Sequence, residues 1–342
     1  MSRLGATCMS AIALAALASV TSAQPAAADA ISDFYKGKTV TVTCPTPAGA
    51  SFDLYTRLLS DHIGKHIPGK PSTIVQYRGG AGGAISAGYM HNVAPKDGTE
   101  IAIVLSPTVL TPILRPDVKW DSSKWQWLGS MTPRPSVVSV WHTAPAKTLA
   151  EAKVKENIMG ATNKNGEPYW LPAIMNAFLG TKFKIVQGYQ GGADMNLAME
   201  KGETHGRMNY WSGFTSVKAD WIRDKKIIQF VQYGPRIKEL PDVPSLRDLV
   251  KPGIERQIVE FVETAEIVGI GAYAPPGVSA DRVAALRQAF DAALRDPALL
   301  ADAEKRKLEI EPVSGKAIQD VVEKAAATPK PVLDKFRQVL GL

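Results

Sequence analysis

Two cysteines stand in 342 residues, and only Cys44 falls outside the first 30. One cysteine cannot close an internal disulfide, so the body of the chain is not a disulfide scaffold. A nucleophilic thiol needs a histidine and an orienting partner, and the sequence around Cys44 supplies neither. Cys44 reads as a half-buried strand residue. No tract of Lys or Arg interleaved with aromatics occurs, although Lys plus Arg is 40 against 33 Asp plus Glu, a formal charge of +7. That argues against a nucleic-acid partner and fits attraction of small anions. No apolar stretch reaches the roughly 20 residues that a membrane span needs. HExxH, GxSxG and GxxxxGK[ST] are missing, so an enzyme of those classes is hard to defend. Gly80-x-Gly82 begins a dinucleotide fingerprint, but Ile85 stands where its next glycine belongs. Neither a catalytic residue, a metal nor a cofactor is expected.

What is present is a core-forming composition, 45% hydrophobic and 21% charged, long enough for one large or two ordinary domains. Residues 1–30 stand apart: Arg3, an apolar run over 11–20, then small residues at Ala23, Ala28 and Ala30. This reads as a cleaved secretory signal peptide with its cut between 23 and 30, and the product is expected to be exported and soluble. Cys8 precedes the apolar run, where a lipoprotein cysteine does not lie.

The remaining chain alternates β-rich and helical runs. Val40 and Val42 alternate with threonines over 38–44, a strand; Leu54, Leu58, Leu59 and Ile63 then follow helical spacing. Residues 72–77 and 100–105 read as further strands, with a helix over 84–92 between them. A β-α-β-α-β opening implies an α/β fold with a parallel sheet. The middle repeats the style, with strands over 137–141, 157–161, 184–186, 205–208 and 227–233, and Thr148 with Glu151 forming a capping box. The apolar run 266–272 reads as a buried strand.

Three features could carry chemistry. Residues 45–51 (PTPAGAS) and 78–83 (RGGAGG) each join a strand to a helix N-terminus. Small residues there let backbone N–H groups approach an anion and the helix dipole favours it; the alternative is that these glycines only serve tight turns. His62 and His66 share a helical face, a spacing that could bind zinc, but with no HExxH and Pro68 following, the pair reads as a solvated helix end. Asn163, Asn165, Tyr169, Trp170, Tyr189, Gln190, Asn209, Tyr210 and Trp211 could orient a small polar ligand or be ordinary surface and core residues.

The loops carry a family resemblance. Residues 40–59 (VTVTCPTPAGASFDLYTRLL), 74–88 (IVQYRGGAGGAISAG), 95–103 (PKDGTEIAI), 189–203 (YQGGADMNLAMEKGE), 240–249 (LPDVPSLRDL) and 273–278 (YAPPGV) resemble, in order, the motifs of the Bug receptors, periplasmic solute-binding proteins of tripartite tricarboxylate transporters. The resemblance implies an α/β, two-domain periplasmic-binding-protein fold (type II-like) with a ligand cleft between the domains. It implies a monomer that captures a small organic carboxylate, a di- or tricarboxylate or an aromatic acid, and hands it to membrane transporter subunits. On this chain the implied ligand-binding residues are Ala48, Gly49, Ala50, Ser51, Phe52, Asp53, Gly80, Ala81, Gly82, Gly83, Ser106, Asn163, Asn165, Gly166, Tyr189, Gln190, Gly191, Gly192 and Asp194. Domain 1 is placed at 31–134 plus 235–342 and domain 2 at 135–234. Gly79 replaces the usual proline, Tyr77 the asparagine two positions before it, and Asp194 a later proline; residues 159–170 and 208–221 follow the pattern poorly. A ligand-presenting sensor and an exported enzyme are the other readings. Arg78 and Arg134 are the alternative anion holders if the loops are not.

Overall fold

The computed structural model describes residues 24–49, 51–164 and 166–342. Ala50, Asn165 and residues 1–23, which hold most of the expected signal peptide, lie outside the described residues. The described residues open on a helix, Gln24–Tyr35, and among them are eleven strands. These are β1 Thr39–Cys44, β2 Ser72–Tyr77, β3 Glu100–Ile103, β4 Gln126–Ser130, β5 Ser136–Trp141, β6 Asn157–Gly160, β7 Phe183–Val186, β8 Gly206–Tyr210, β9 Ile227–Tyr233, β10 Gly271–Ala274 and β11 Val313–Ser314.

They sort into two sheets, ordered β11-β4-β10-β3-β1-β2 and β7-β6-β8-β5-β9. β1 runs parallel to β2 and β3, and β6 parallel to β7 and β8. Parallel neighbours need a crossover, and Ser51–Ile63 and Ala84–Asn92 supply the first two as helices. β10 returns antiparallel between β3 and β4, while β5 pairs antiparallel with β8 and β9. This is a mixed α/β fold with two sheets. One core packs Val40, Val42, Leu58, Leu59 and Ile103 with Leu286 and Phe290; a second packs Val138, Val140, Met159 and Met208 with Ile258, Val262 and Phe336.

Three local expectations change. The run 266–272 is not one strand: Glu266, Ile267 and Val268 end the helix Ile254–Val268, and only Gly271 and Ala272 belong to β10. Ile258, Val262 and Ala265 recur at helical spacing and are buried, which outweighs the β-branched composition of the run. Gly269 breaks it, with φ at +49° and Thr132 and Pro133 backbone crowding the place of a side chain. His62 and His66 are not a solvated terminus, because each meets a carboxylate of the C-terminal region, Asp302 at 3.2 Å and Asp296 at 2.9 Å. Cys44 is fully buried rather than half-buried.

Candidate functional site

The candidate site begins where β1 and β2 end. The loop after β1 leads into the helix Ser51–Ile63, whose third residue, Asp53, is 2% exposed. Asp53 does not hang free as a ligand contact. Its carboxylate accepts the Gly49 N–H at 2.7 Å, the Tyr77 hydroxyl at 2.7 Å and the Arg57 Nε–H at 2.9 Å. Burial pushes its carboxyl up, but these three donors together outweigh burial and hold it below the ordinary Asp range. One side chain thus ties the first loop to the end of β2. Tyr77, the departure from the family pattern, is the residue that reaches across.

The second loop lies against the first. A side chain at Gly79 would meet Pro47 and Thr46 at 3.1 Å, so the glycine that replaces the usual proline lets the two loops touch. The Gly83 N–H closes a turn onto the Gly80 carbonyl at 2.9 Å and leads into the helix Ala84–Asn92. Gly83 has φ at +90°, and a Cβ there would lie 2.8 Å from Thr108 and 2.9 Å from Leu105; only glycine fits. Gly82, at φ +63°, faces open space. Ala48, Gly49, Ser51, Gly80, Ala81 and Gly82 are exposed or nearly so. Ser106 is buried, and its hydroxyl is spent on the Gly269 carbonyl at 2.6 Å, where it fastens the end of β3 to the start of β10.

The second sheet repeats the arrangement. Loops follow β6 and β7, and the Gly188 N–H donates to the Thr162 carbonyl at 3.1 Å, joining them. The helix Gly192–Glu200 begins after Gly191, and its third residue, Asp194, accepts the Gln190 N–H at 3.2 Å. Tyr189 packs over Gly160. Under this loop lies a residue the sequence reading did not single out. Arg207, on β8, is 5% exposed and donates to the Gly192 carbonyl, the Asn196 amide and the Asn209 amide at 2.7–3.1 Å, and to the Met208 carbonyl at 3.0 Å. No carboxylate pairs with it among the described residues. Burial brings its guanidinium down to about 10, so it stays charged and makes the loop electropositive.

The two halves meet at Arg134, in the short segment between β4 and β5. Its guanidinium lies 5.1 Å from the Phe52 ring of the first half and 4.1 Å from the Tyr210 ring of the second. It forms no ion pair among the described residues. Tyr210 in turn donates its hydroxyl to Glu167 Oε2 at 2.9 Å, at the start of the helix Glu167–Ile174. Glu167 is 3% exposed, and its Oε1 has no hydrogen-bond partner among the described residues. Burial pushes its carboxyl up, against the pull of Tyr210 and Arg134. The Glu266 carboxyl is raised too, first by burial and then by the Glu167 charge. A buried glutamate among aromatics has no local signature, and neither Glu167 nor Glu266 is marked by the sequence. Two cavities of about 580 and 510 Å³ open elsewhere, one beside Arg57 and Arg306, the other beside Phe261 and Lys324, and neither includes a loop residue named above.

Among the described residues no helix is long and apolar enough to cross a membrane, and no group of His, Cys, Asp and Glu could hold a metal. No curated protein matches the chain. Solved structures do. A TctC solute-binding protein from Polaromonas, without ligand, is 20% identical with a TM-score of 0.67, over 88% of this chain and 99% of that one. A Rhodopseudomonas palustris protein with adipate is 17% identical with a TM-score of 0.60, over 89% and 97%. MatC of Rhodopseudomonas palustris, with bound malate, is 18% identical with a TM-score of 0.57, over 89% and 99%. These likenesses establish the two-domain periplasmic-binding-protein fold. The family model for the tripartite tricarboxylate transporter family receptor, TctC, matches residues 56–336. With most of its length matched, and with the loop motifs in their order, the chain belongs to the tripartite tricarboxylate transporter receptor family.

Proposed function

We propose that the protein is an exported periplasmic receptor that captures a small organic di- or tricarboxylate, or an aromatic acid, and delivers it to the membrane subunits of a tripartite transporter. The observation that carries this reading is that anion-seeking groups sit at the strand ends of both sheets and in the segment that joins the sheets. Two loops of small, exposed residues lie on the first sheet, a third sits over Arg207 on the second, and Arg134 lies in the segment between, both arginines without an ion pair among the described residues. One ligand carboxylate is assigned to the loops 48–51 and 80–83, at N–H groups other than those of Gly49 and Gly83, which Asp53 and the Gly80 carbonyl already take, and the rest of the ligand to Asn163, Asn165, Gly166 and residues 189–194. The relatives solved with adipate and malate support a dicarboxylate. We read the chain as a monomeric binding protein, not an enzyme.

The lobes are assigned as 31–134 with 235–342, and 135–234, closing about the crossings near Arg134 and Gly234. Calorimetric titration with malate and adipate, with mass spectrometry of the recovered ligand, tests the reading. Binding with the ligand returned unchanged is expected; no binding of any carboxylate, or turnover, refutes it. Export is tested by intact mass, which should show loss of the leader between Ala23 and Ala30.

A further inference from the structure

Two groups of opposite charge type meet at Tyr210, Arg134 over its ring and Glu167 at its hydroxyl, and together they specify more than carboxylate capture. The Arg134 guanidinium is half-buried between Phe52 and Tyr210, with no ion pair among the described residues. Glu167, 3% exposed, carries a buried oxygen, Oε1, with no hydrogen-bond partner among the described residues. A buried acceptor left unpaired costs free energy unless something donates to it or the group itself becomes a donor. The surrounding groups decide which. Tyr210 from β8 donates to Oε2, so it does not serve Oε1. Glu266 from the helix Ile254–Val268 is fully buried, holds an unpartnered oxygen of its own and offers like charge. Tyr233 from β9 is fully buried, its hydroxyl unpartnered. The C-terminal helix Lys330–Leu340 packs on the Glu167 helix through Phe336 against Trp170, an apolar contact. Arg134 from the crossing segment is the cation that acts on Glu167.

Resting on the receptor reading above, we propose that Arg134 and Glu167 form a second anchor that takes the distal carboxylate of a dicarboxylate ligand, and that its binding is coupled to uptake of one proton on Glu167. Arg134 donates to the incoming carboxylate as its counter-ion. Two carboxylates forced together away from water cannot both stay ionised, so the proton enters on Glu167 Oε1 from solvent. The neutral acid then donates that O–H to the ligand. No bond other than O–H forms, and charge balances: one proton enters with the ligand. A monocarboxylate, which fills only the loop site, carries no such proton.

The test is calorimetry of the full mature protein with malate, adipate and, as a monocarboxylate, butyrate, in phosphate and in Tris at pH 8. The difference in heat between buffers counts protons taken up per ligand bound. The wild type is expected to take up more than half a proton with each dicarboxylate and close to none with butyrate, and its dicarboxylate affinity should fall up to tenfold per unit as pH rises above 7.5. Glu167→Gln, which still accepts from Tyr210, should bind without proton uptake and with affinity flat in pH. Arg134→Gln should lose at least tenfold for dicarboxylates and little for butyrate. Dicarboxylate binding by the wild type with no proton uptake overturns the proposal while leaving the receptor reading intact, and this arm needs no variant to fold. Uptake unchanged in folded Glu167→Gln, or dicarboxylate affinity unchanged in Arg134→Gln, overturns it as well. Binding of no carboxylate at all refutes the receptor reading itself.

Discussion

Asp53 and Asp194 do the same work on opposite sheets. Each is the third residue of a helix, and each accepts the N–H of the residue four places before it, Gly49 at 2.7 Å and Gln190 at 3.2 Å. An acidic group in the first turn of a helix is favoured by the dipole, and here it also folds the preceding loop back over the helix end. Asp194 occupies the place of a family proline, so this chain replaces a rigid ring with a hydrogen bond.

For Asp53 the consequence is measurable. Asp53→Asn keeps the shape but weakens three bonds to a buried acceptor and is expected to cost about 1–3 kcal/mol at neutral pH. The folded-state carboxyl lies below its ordinary value of 3.8, so the stability it contributes is present above that value and is lost as pH falls through the lower, folded one. Chemical denaturation of wild type and variant at pH 7 and pH 3 should therefore show the gap shrinking in acid. A gap of constant size would mean that Asp53 acts by shape alone.

Two substitutions separate folding from binding in the loops. Gly83→Ala places a Cβ against Thr108 and Leu105 at φ +90° and should lower stability by about 1–3 kcal/mol. Ser51→Asp puts a carboxylate at an exposed helix N-terminus, where it should leave stability unchanged or raise it by about 0.3–1 kcal/mol. It should weaken malate binding at least about tenfold by competing for the same amides. Gly82→Asp, at φ +63° but facing open space, is its partner. If both aspartates fold and bind normally, the anion is not held by these loops.

Glu167 sets a slope of the opposite sign. Its carboxyl is raised from 4.5 to about 7, first by burial. A raised folded-state value means that its stabilising effect is full below 4.5 and is lost as pH rises through about 7. Without ligand, wild type should melt progressively lower than Glu167→Gln as pH climbs from 5 to 8, and the more so because the variant also removes the Glu167 charge that raises the Glu266 carboxyl. Parallel melting curves across that range would remove the assignment.

Arg207 is predicted to resist conservative exchange. Its fork reaches Gly192, Asn196 and Asn209 at once, which a lysine ammonium cannot span. Arg207→Lys should keep the charge yet lower the melting temperature by several degrees and slow proteolytic protection of residues 187–192 by ligand. A variant as stable as wild type would show that the fork is dispensable.

The fold was legible because its signals are local: alternating threonines and valines over 39–44, helical spacing from Leu54 to Ile63, and small-residue loops between them. The helix Ile254–Val268 was misread at its end because Ile267 and Val268 favour strands by composition, while the helix is fixed by burial of Ile258 and Val262 against residues far away in sequence. The loops were visible for the same local reason. Glu167, Arg207 and the bridging position of Arg134 were not, since each acquires its character from burial and from partners 40 or more residues away or on another element. Ser106, placed by the family resemblance, has a hydroxyl that donates within the fold to Gly269, a long-range bond that no local signal announces.

The interleaved first sheet also dictates an order of assembly. β5 to β9 are contiguous in the chain, so the second sheet has all its strands once residue 233 has left an export channel. The first sheet does not: β4 reaches β3 only through β10, which is made from residues 271–274, and β4 has no other neighbour until β11 arrives at 313. During N-to-C emergence the strands written first are therefore completed last, and until then β3 and β4 expose open edges. Pulse-labelled hydrogen exchange during refolding should show amides of β5 and β8 protected before those of β3 and β4.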